Sequence, residues 1–360
     1  MMRRVLAMLL MALASLSSAE PVVDFPVVAP GLRFEFPRDA GSHPQFRTEW
    51  WYVTGTVADE SGATFGFQVT FFRSRPGVDE ANPSRFAPKQ LLFAHAALSD
   101  PRRGRLLHDE RSARAGFDIA VASETALNVA IDDWSLHTRE GGKTYRAALR
   151  AKDFQLELDY EPTQPPLLHG LKGFSQKGPQ PHEASYYYTL PQLRTSGRVS
   201  IGNREYRVTG TAWLDHEWSS SILDEQAQGW DWVGLNLDDG GALMAFQMRN
   251  LQGGEHFAAA TLRSSGTADP IAFTPQQIEW SVLRRWRSAR TGVEYPVEWR
   301  LRIGERTISL RPLMDDQEND ARGSTGTIYW EGAVAAFDAG GRRIGGGYLE
   351  LTGYGNRVSL

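Results

Sequence analysis

The sequence predicts an all-β protein of two similar antiparallel domains, suited to barrels or sandwiches, from three observations. Its apolar segments are short and alternate with period two, the pattern of strands that bury one face. Glycine with aspartate or asparagine marks the corners between them, where positive φ closes a hairpin. One tryptophan-rich hairpin also occurs twice along the chain.

The first residues stand apart from this pattern. Arg3 and Arg4 precede the apolar run VLAMLLMALA, and small Ser17 and Ala19 follow it, as in a secretory signal peptide. The run is short for a bilayer, and no other long apolar stretch follows. The expectation is a signal at residues 1–19 cleaved after Ala19, and a periplasmic or secreted mature chain without a transmembrane segment. A lipoprotein would need a cysteine after the run, and the chain has none.

The strands follow in order. EWWYVTGTVA turns through DESG into ATFGFQVTFFR, and VSIGNREYRVTGTAW, VGLNLDDGGALMAFQMR and AVAAFDAGGRRIGGGYLELTGY repeat the plan. Helical spacing is scarce, with Pro275 to Val282 the best short candidate. Residues 51–68 laid without a gap on residues 230–247 agree at Trp51/Trp230, Gly55/Gly234, Asp59/Asp238, Gly62/Gly241, Ala63/Ala242, Phe67/Phe246 and Gln68/Gln247. Two copies of one β-domain are therefore expected: a first domain over 31–165, a connecting loop over 166–190 and a second domain over 191–360. The loop is rich in proline, glycine and glutamine and carries His169, Lys172, Lys177 and His182. It reads equally as a solvated connector or as a lid between barrels.

Composition removes several functions. The formal net charge of -4 falls to -6 once Arg3 and Arg4 are gone, an acidity that argues against a nucleic-acid partner. Without cysteine there are no disulfides, so stability rests on burial. No Gly-x-Ser-x-Gly elbow, HExxH, P-loop or GxGxxG opening a helix occurs. No cofactor and no metal is expected.

Chemistry concentrates in GTAWLDHEWSSS, residues 210–221. On a strand, Trp213, Asp215 and Glu217 share one face while Leu214, His216 and Trp218 share the other. An imidazole suits proton transfer near neutral pH, and an indole face stabilises a developing cation. His216, Asp215 and Glu217 are thus candidate catalytic residues, with Asp215 expected to orient the imidazole. The competing reading is a polar plug in an aromatic core. In the first copy Trp50 and Tyr52 share a face. Phe65, Phe67, Val69 and Phe71 share a face that reads as continuous apolar core, while Gln68 and Thr70 lie on the opposite, mixed face, expected to line a small-barrel lumen. Gln247 and Arg249 fall together in the second copy.

The stretches HPQFRTEWWYVTG, FGFQVTFFR, HAALSD, SYYYTLPQLRTSG and VTGTAWLDHEWSSS, with GWDWVGLNLDDG after them, resemble the AttH-like family, which includes carotenoid 1,2-hydratase and kievitone hydratase. The likeness runs from about Gly31 to Tyr354. It implies two lipocalin-like barrels and, from the hydratases, addition of water to a carbon–carbon double bond without metal or nucleotide. The His-x-Trp of the carotenoid hydratases matches His216-Glu217-Trp218. Their Tyr and Asp two apart on a following strand have no counterpart in LMAFQMR, although Asp231 lies nearby.

The resulting expectation is an exported protein that takes a hydrophobic, isoprenoid- or lipid-like molecule between its barrels, for cofactor-free hydration or isomerisation of a double bond. Trp213, Trp218, Trp230, Asp231, Tyr187, Trp50, Tyr52, Gln68, Gln247 and Arg249 are its candidate substrate-binding residues. The rivals are a non-catalytic lipid-binding component working with an ABC transporter permease, and a secreted hydrolase that activates water with Asp215 or Glu217.

Overall fold

A computed structural model describes residues 23–78, 80–267 and 269–358. The expected signal peptide and its cleavage site lie outside these residues. The first sheet holds β1 (Thr48–Asp59), β2 (Thr64–Ser74), β3 (Leu91–Ser99), β4 (Leu107–Arg114), β5 (Ala120–Ala122), β6 (Asn128–Ile131), β7 (Trp134–Thr138), β8 (Tyr145–Arg150) and β9 (Phe154–Glu161). It also takes in β10 (Leu167–Leu168), β11 (Phe174–Gln176), β12 (Ala184–Ile201) and β13 (Arg204–Ser221). The second holds β14 (Ala227–Leu237), β15 (Ala242–Asn250), β16 (Glu255–Arg263), β17 (Ile271–Phe273), β18 (Ile278–Arg287) and β19 (Glu294–Ile303). It is completed by β20 (Arg306–Pro312), β21 (Glu318–Ala321), β22 (Thr327–Phe337) and β23 (Arg343–Leu351).

Both sheets are antiparallel and roll into lipocalin-like barrels of the same topology. The order β4-β3-β2-β1-β13-β12-β9-β8-β7 in the first matches β17-β16-β15-β14-β23-β22-β20-β19-β18 in the second, strand for strand along the chain. The first barrel nearly closes on itself, since Arg111 of β4 donates to the backbone carbonyls of Ile131 and Arg150. The sheet boundary differs from the expected one. β12 and β13 complete the first barrel, so the change of sheet falls after Ser221 rather than within 166–190. Residues 166–190 are not a free connector either, because β10 and β11 pair with β12. The helical spacing after Pro275 yields only a 3-10 turn, Pro275–Gln277, before β18 begins.

The repeat is present in topology, but the ungapped alignment is one residue out of register. The first hairpin closes with Asp59 N–H donating to Ala63 and Gly62 N–H to Asp59; the second closes with Leu237 to Gly241 and Gly240 to Leu237. Gly62 and Gly240 hold φ of +85° and +90°. Asp59 therefore corresponds to Leu237, not Asp238. Because side chains alternate, a one-residue slip sends every matched pair to opposite faces. Trp51 and Phe67 lie in the first barrel's core, whereas Trp230 and Phe246 pack between the barrels.

That alternation creates three apolar clusters. Val53, Phe67, Val69 and Leu214 fill the first barrel; Val233, Leu235, Trp299 and Leu351 fill the second. Tyr52, Tyr187, Trp213, Trp232, Phe246, Met248 and Tyr348 form a third between them. Outward positions of one barrel meet outward positions of the other, so both walls of the space between are built on strands. No helix among the described residues is long and apolar enough to cross a membrane.

Candidate functional site

A cavity of about 320 Å³ opens between the barrels. Even positions of β1, β2, β14 and β15 and odd positions of β12, β13 and β22 supply most of its wall, joined by Glu49, Arg73 and Ile328, so the wall mixes Trp50, Tyr52, Trp230, Trp232 and Phe246 with several acids. Close approach of the aromatic groups depends on Gly234. A Cβ there would lie 2.6 Å from Trp232 Cη2 and 2.9 Å from Trp213 Cε2.

Asp215 is a heavily bonded acid of the wall. Tyr187 donates its hydroxyl to Oδ2 at 2.7 Å, while the Trp213 indole N–H at 2.7 Å and the Thr189 hydroxyl serve Oδ1. Trp232 donates its indole N–H to the Tyr187 oxygen at 3.1 Å. Burial still dominates the carboxyl, raising its pKa to about 7 against the three donors, with Glu217 adding to the rise. Asp215 is thus half protonated near neutral pH. When it carries the proton, Oδ2–H can donate to Tyr187, and the phenol hydrogen is then free to turn into the cavity.

Beside it, Glu217 pairs with Lys177 at 2.8 Å, both buried. The Lys177 ammonium lies 4.4 Å over the Tyr187 ring and 4.5 Å over Phe246. His169 packs on Tyr187 with ring centroids 4.1 Å apart and meets the Thr189 hydroxyl at 2.6 Å. The 166–190 segment therefore backs one end of the cavity.

The second barrel contributes Glu331 and Glu350, directly opposite each other on β22 and β23. Burial and mutual repulsion push the Glu331 carboxyl well above the usual range; burial, with Asp215 and Glu217 nearby, raises Glu350 as well. Two carboxyls so placed share protons rather than both ionising.

The opposite end is neutral and hydroxyl-rich. His95 Nδ1 lies 2.8 Å from the Tyr329 hydroxyl and Nε2 lies 2.9 Å from Ser324 Oγ. Ser324 donates its one hydroxyl hydrogen to Glu110 at 2.5 Å, so His95 Nε2 carries a hydrogen and donates to Ser324. Burial holds His95 down at about 3, keeping the ring neutral. This histidine does not activate Ser324 as a nucleophile, since it gives that oxygen a proton rather than taking one.

His216 lies elsewhere. The strand does separate Asp215 from His216 as alternation requires, but the His216 face is the interior of the first barrel. There Nε2 contacts Glu49 Oε1 at 3.0 Å and Nδ1 contacts the Asp39 carbonyl at 3.1 Å. Its orienting carboxylate is Glu49, not Asp215. Trp218 is likewise no part of the cavity wall, stacking on His43 at 3.7 Å inside the barrel. Burial pushes the His216 imidazole below its usual value against the pull of Glu49. His43, Glu49 and His216 have the spacing of a metal-ligand set. However, His43, His216, Ser42 and Arg73 all present donors to Glu49, and the Arg73 guanidinium at 2.8 Å already supplies the positive charge.

Trp50, Tyr52, Gln68, Tyr187, Asp215, Glu217 and Trp230 line the cavity, with Trp213 just behind Asp215. The apolar face of β2 is the first barrel's core, as expected, but Gln68 and Thr70 face outward from that barrel rather than into a lumen. Asp231, Gln247 and Arg249 point into the second barrel. Lys177, His95, Tyr329, Glu331 and Glu350 belong to the cavity but were not among the candidates. A visible signal was a polar residue alternating with apolar ones, as in LLFAHAALS, YWEGAVA and YLEL.

The profile of the family described as AttH-like matches residues 27–354. The chain belongs to the AttH-like family. A crystal structure of an AttH protein from Nitrosomonas europaea is 48% identical with a TM-score of 0.86, covering 92% of this chain and all of that one. Kievitone hydratase from Nectria haematococca is 14% identical with a TM-score of 0.70, over 92% of this chain and 94% of that one. The protein CghA is 14% identical with a TM-score of 0.56, over 93% and 96%. These two remote likenesses show the shared fold. No curated protein matches the sequence.

Proposed function

We propose that this AttH-like protein takes a hydrophobic small molecule into the cavity between its barrels and performs cofactor-free acid–base chemistry on it, of the hydratase type. The observation that carries the reading is Asp215: a carboxyl raised to about 7, joined through the Tyr187 hydroxyl to a cavity walled by aromatic rings. An acid with a pKa near the working pH serves best as proton donor. Asp215 passes its proton through Tyr187 to an alkene carbon, the π faces of Trp50, Trp230 and Trp232 stabilise the cation, and the Glu331–Glu350 pair takes a proton from the incoming water. The tandem-barrel likeness to kievitone hydratase supports the reading as a fold capable of such chemistry. Export after Ala19 is part of the proposal and rests on the first residues of the sequence.

The test is incubation of the mature protein with prenylated and isoprenoid alkenes in water enriched in oxygen-18. Hydration adds one labelled water to the product mass, and Asp215→Asn slows the gain by about 10²–10⁴. Tight binding of these molecules without any mass change overturns the catalytic reading and favours a carrier. Cleavage products containing oxygen-18 would favour the hydrolase.

A further inference from the structure

The second barrel contains a cavity of its own, about 510 Å³, which shares no lining residue with the one between the barrels. Its floor is unlike the corresponding part of the first barrel. The correspondence set by the two hairpin turns makes Asp231, Gln247 and Arg249 the counterparts of Val53, Val69 and Phe71. The register agrees, since Val53 lies opposite Val69 and Asp231 lies opposite Gln247. In the first barrel those positions are dry apolar core. In the second they hold a buried acid, amide and guanidinium, which the fold does not require and which is costly to desolvate.

The cluster leaves hydrogen-bond donors unpaired among the residues that line the space. Asp231 is occupied: Gln247 donates to Oδ2 at 2.7 Å, Tyr354 donates to Oδ1 at 2.9 Å, and Arg249 Nε lies 3.2 Å from Oδ2. Arg249 itself lies 3.9 Å over the Tyr354 ring, donates once to the Thr352 carbonyl, and forms part of the cavity wall. Trp280 and Trp299 line the same wall edge to face, centroids 5.3 Å apart. Both indole N–H groups are buried without a hydrogen-bond partner, and Trp299 is only 3% exposed. Orphaned buried donors are rare and call for an acceptor. Arg285, Glu255 and Glu279 also line the cavity, Glu279 being paired with Arg302 at 2.8 Å.

We infer that the second barrel is a separate binding site for a small amphipathic carboxylate. Its head accepts from Arg249 and from the Trp280 and Trp299 indoles, and its tail lies along Ile278 and Val282 at the cavity wall. An ionised carboxylate is acceptor-only and satisfies such donors, whereas an ammonium would face the guanidinium and a hydrocarbon would leave both N–H groups orphaned. The inference is independent of the chemistry proposed between the barrels.

The experiment is fluorine NMR of the mature protein labelled with 5-fluorotryptophan, titrated with octanoate and, separately, with octan-1-ol. Signals are assigned with Trp280→Phe and Trp299→Phe. Octanoate is expected to shift the Trp280 and Trp299 signals saturably, and octan-1-ol to bind at least about tenfold more weakly for want of charge-assisted hydrogen bonds. Trp299→Phe keeps a six-membered aromatic ring but removes the N–H together with the pyrrole half of the indole, and is expected to weaken octanoate by about tenfold while leaving octan-1-ol affinity nearly unchanged and the other tryptophan signals in place. Equal affinity for the alcohol, an unchanged affinity in Trp299→Phe, or shifts confined to Trp230 and Trp232 would each overturn the inference. So would the absence of a saturable shift in the unmodified protein, a comparison that depends on no variant folding.

Discussion

The Tyr187 hydroxyl donates to Asp215 Oδ2 at 2.7 Å and receives the Trp232 indole N–H at 3.1 Å. Strands of both barrels thereby meet on one phenol, which carries the proton of Asp215 further into the cavity that Asp215 itself also lines. Asp215→Asn keeps the shape of the site but holds no transferable acid proton. Turnover is expected to fall by about 10²–10⁴, the usual contribution of a general acid, with ligand affinity nearly unchanged. Tyr187→Phe breaks the relay while leaving the acid, and should fall between the two. Parallel measurement of kcat and Kd checks this, since equal loss of both would assign Asp215 to binding alone.

The same carboxyl makes activity and stability respond to pH. The reaction needs protonated Asp215, so the rate is expected to decline as pH rises through about 7. Stability follows the same direction. The folded pKa exceeds the ordinary unfolded value, so between about pH 4 and 7 the unfolded chain releases a proton that the folded one retains. This contribution is fully present below pH 4 and is lost as pH rises through 7, by on the order of 1 kcal/mol per pH unit. Denaturation midpoints measured from pH 4 to 8 should show a component of this slope that disappears in Asp215→Asn.

Lys177 and Glu217 form an ion pair with both partners buried. Removing one partner strands the other charge. Lys177→Met is expected to destabilise the protein by about 3–5 kcal/mol, whereas Lys177→Met combined with Glu217→Leu should recover most of that loss. Urea unfolding of the single and double variants measures the difference. A single variant as stable as the parent would mean that water, not protein, solvates Glu217.

Much of this architecture was legible. Period-two alternation with acidic-glycine turns marks the strands, and it correctly divides Trp213, Asp215 and Glu217 from Leu214, His216 and Trp218. Alternation cannot say which face is inward. On β2 the continuous run Phe65, Phe67, Val69 and Phe71 is the core itself, and the mixed face of Gln68 and Thr70 meets the other barrel. The boundary was missed for a related reason: β12 and β13 follow a loop in sequence, but antiparallel pairing with β9 and β1 returns them to the first barrel. Glu331 and Glu350 were hidden because an acid at an outward strand position normally faces water. It becomes a site residue only when a second barrel covers it.

His216 separates the sequence motif from the site. It is fully buried in the first barrel, between Glu49 and the Asp39 carbonyl, with the Trp51 indole stacked 4.8 Å away. The network around Glu49 holds that carboxyl well below its ordinary value: burial pushes it up, but His216, His43 and Arg73 together outweigh this. His216→Ala removes one of these donors and opens a void beside Trp51. A loss of about 2–4 kcal/mol in stability is expected from the cavity and the weakened network. The folded fraction should retain its ligand affinity and most of its turnover, because His216 does not itself line the cavity between the barrels and meets it only through Glu49, which Arg73 still holds. Unfolding curves together with kcat and Kd below the transition distinguish the roles. A stable His216→Ala protein with turnover reduced as far as in Asp215→Asn would return the catalytic role to the histidine and place the chemistry inside the first barrel.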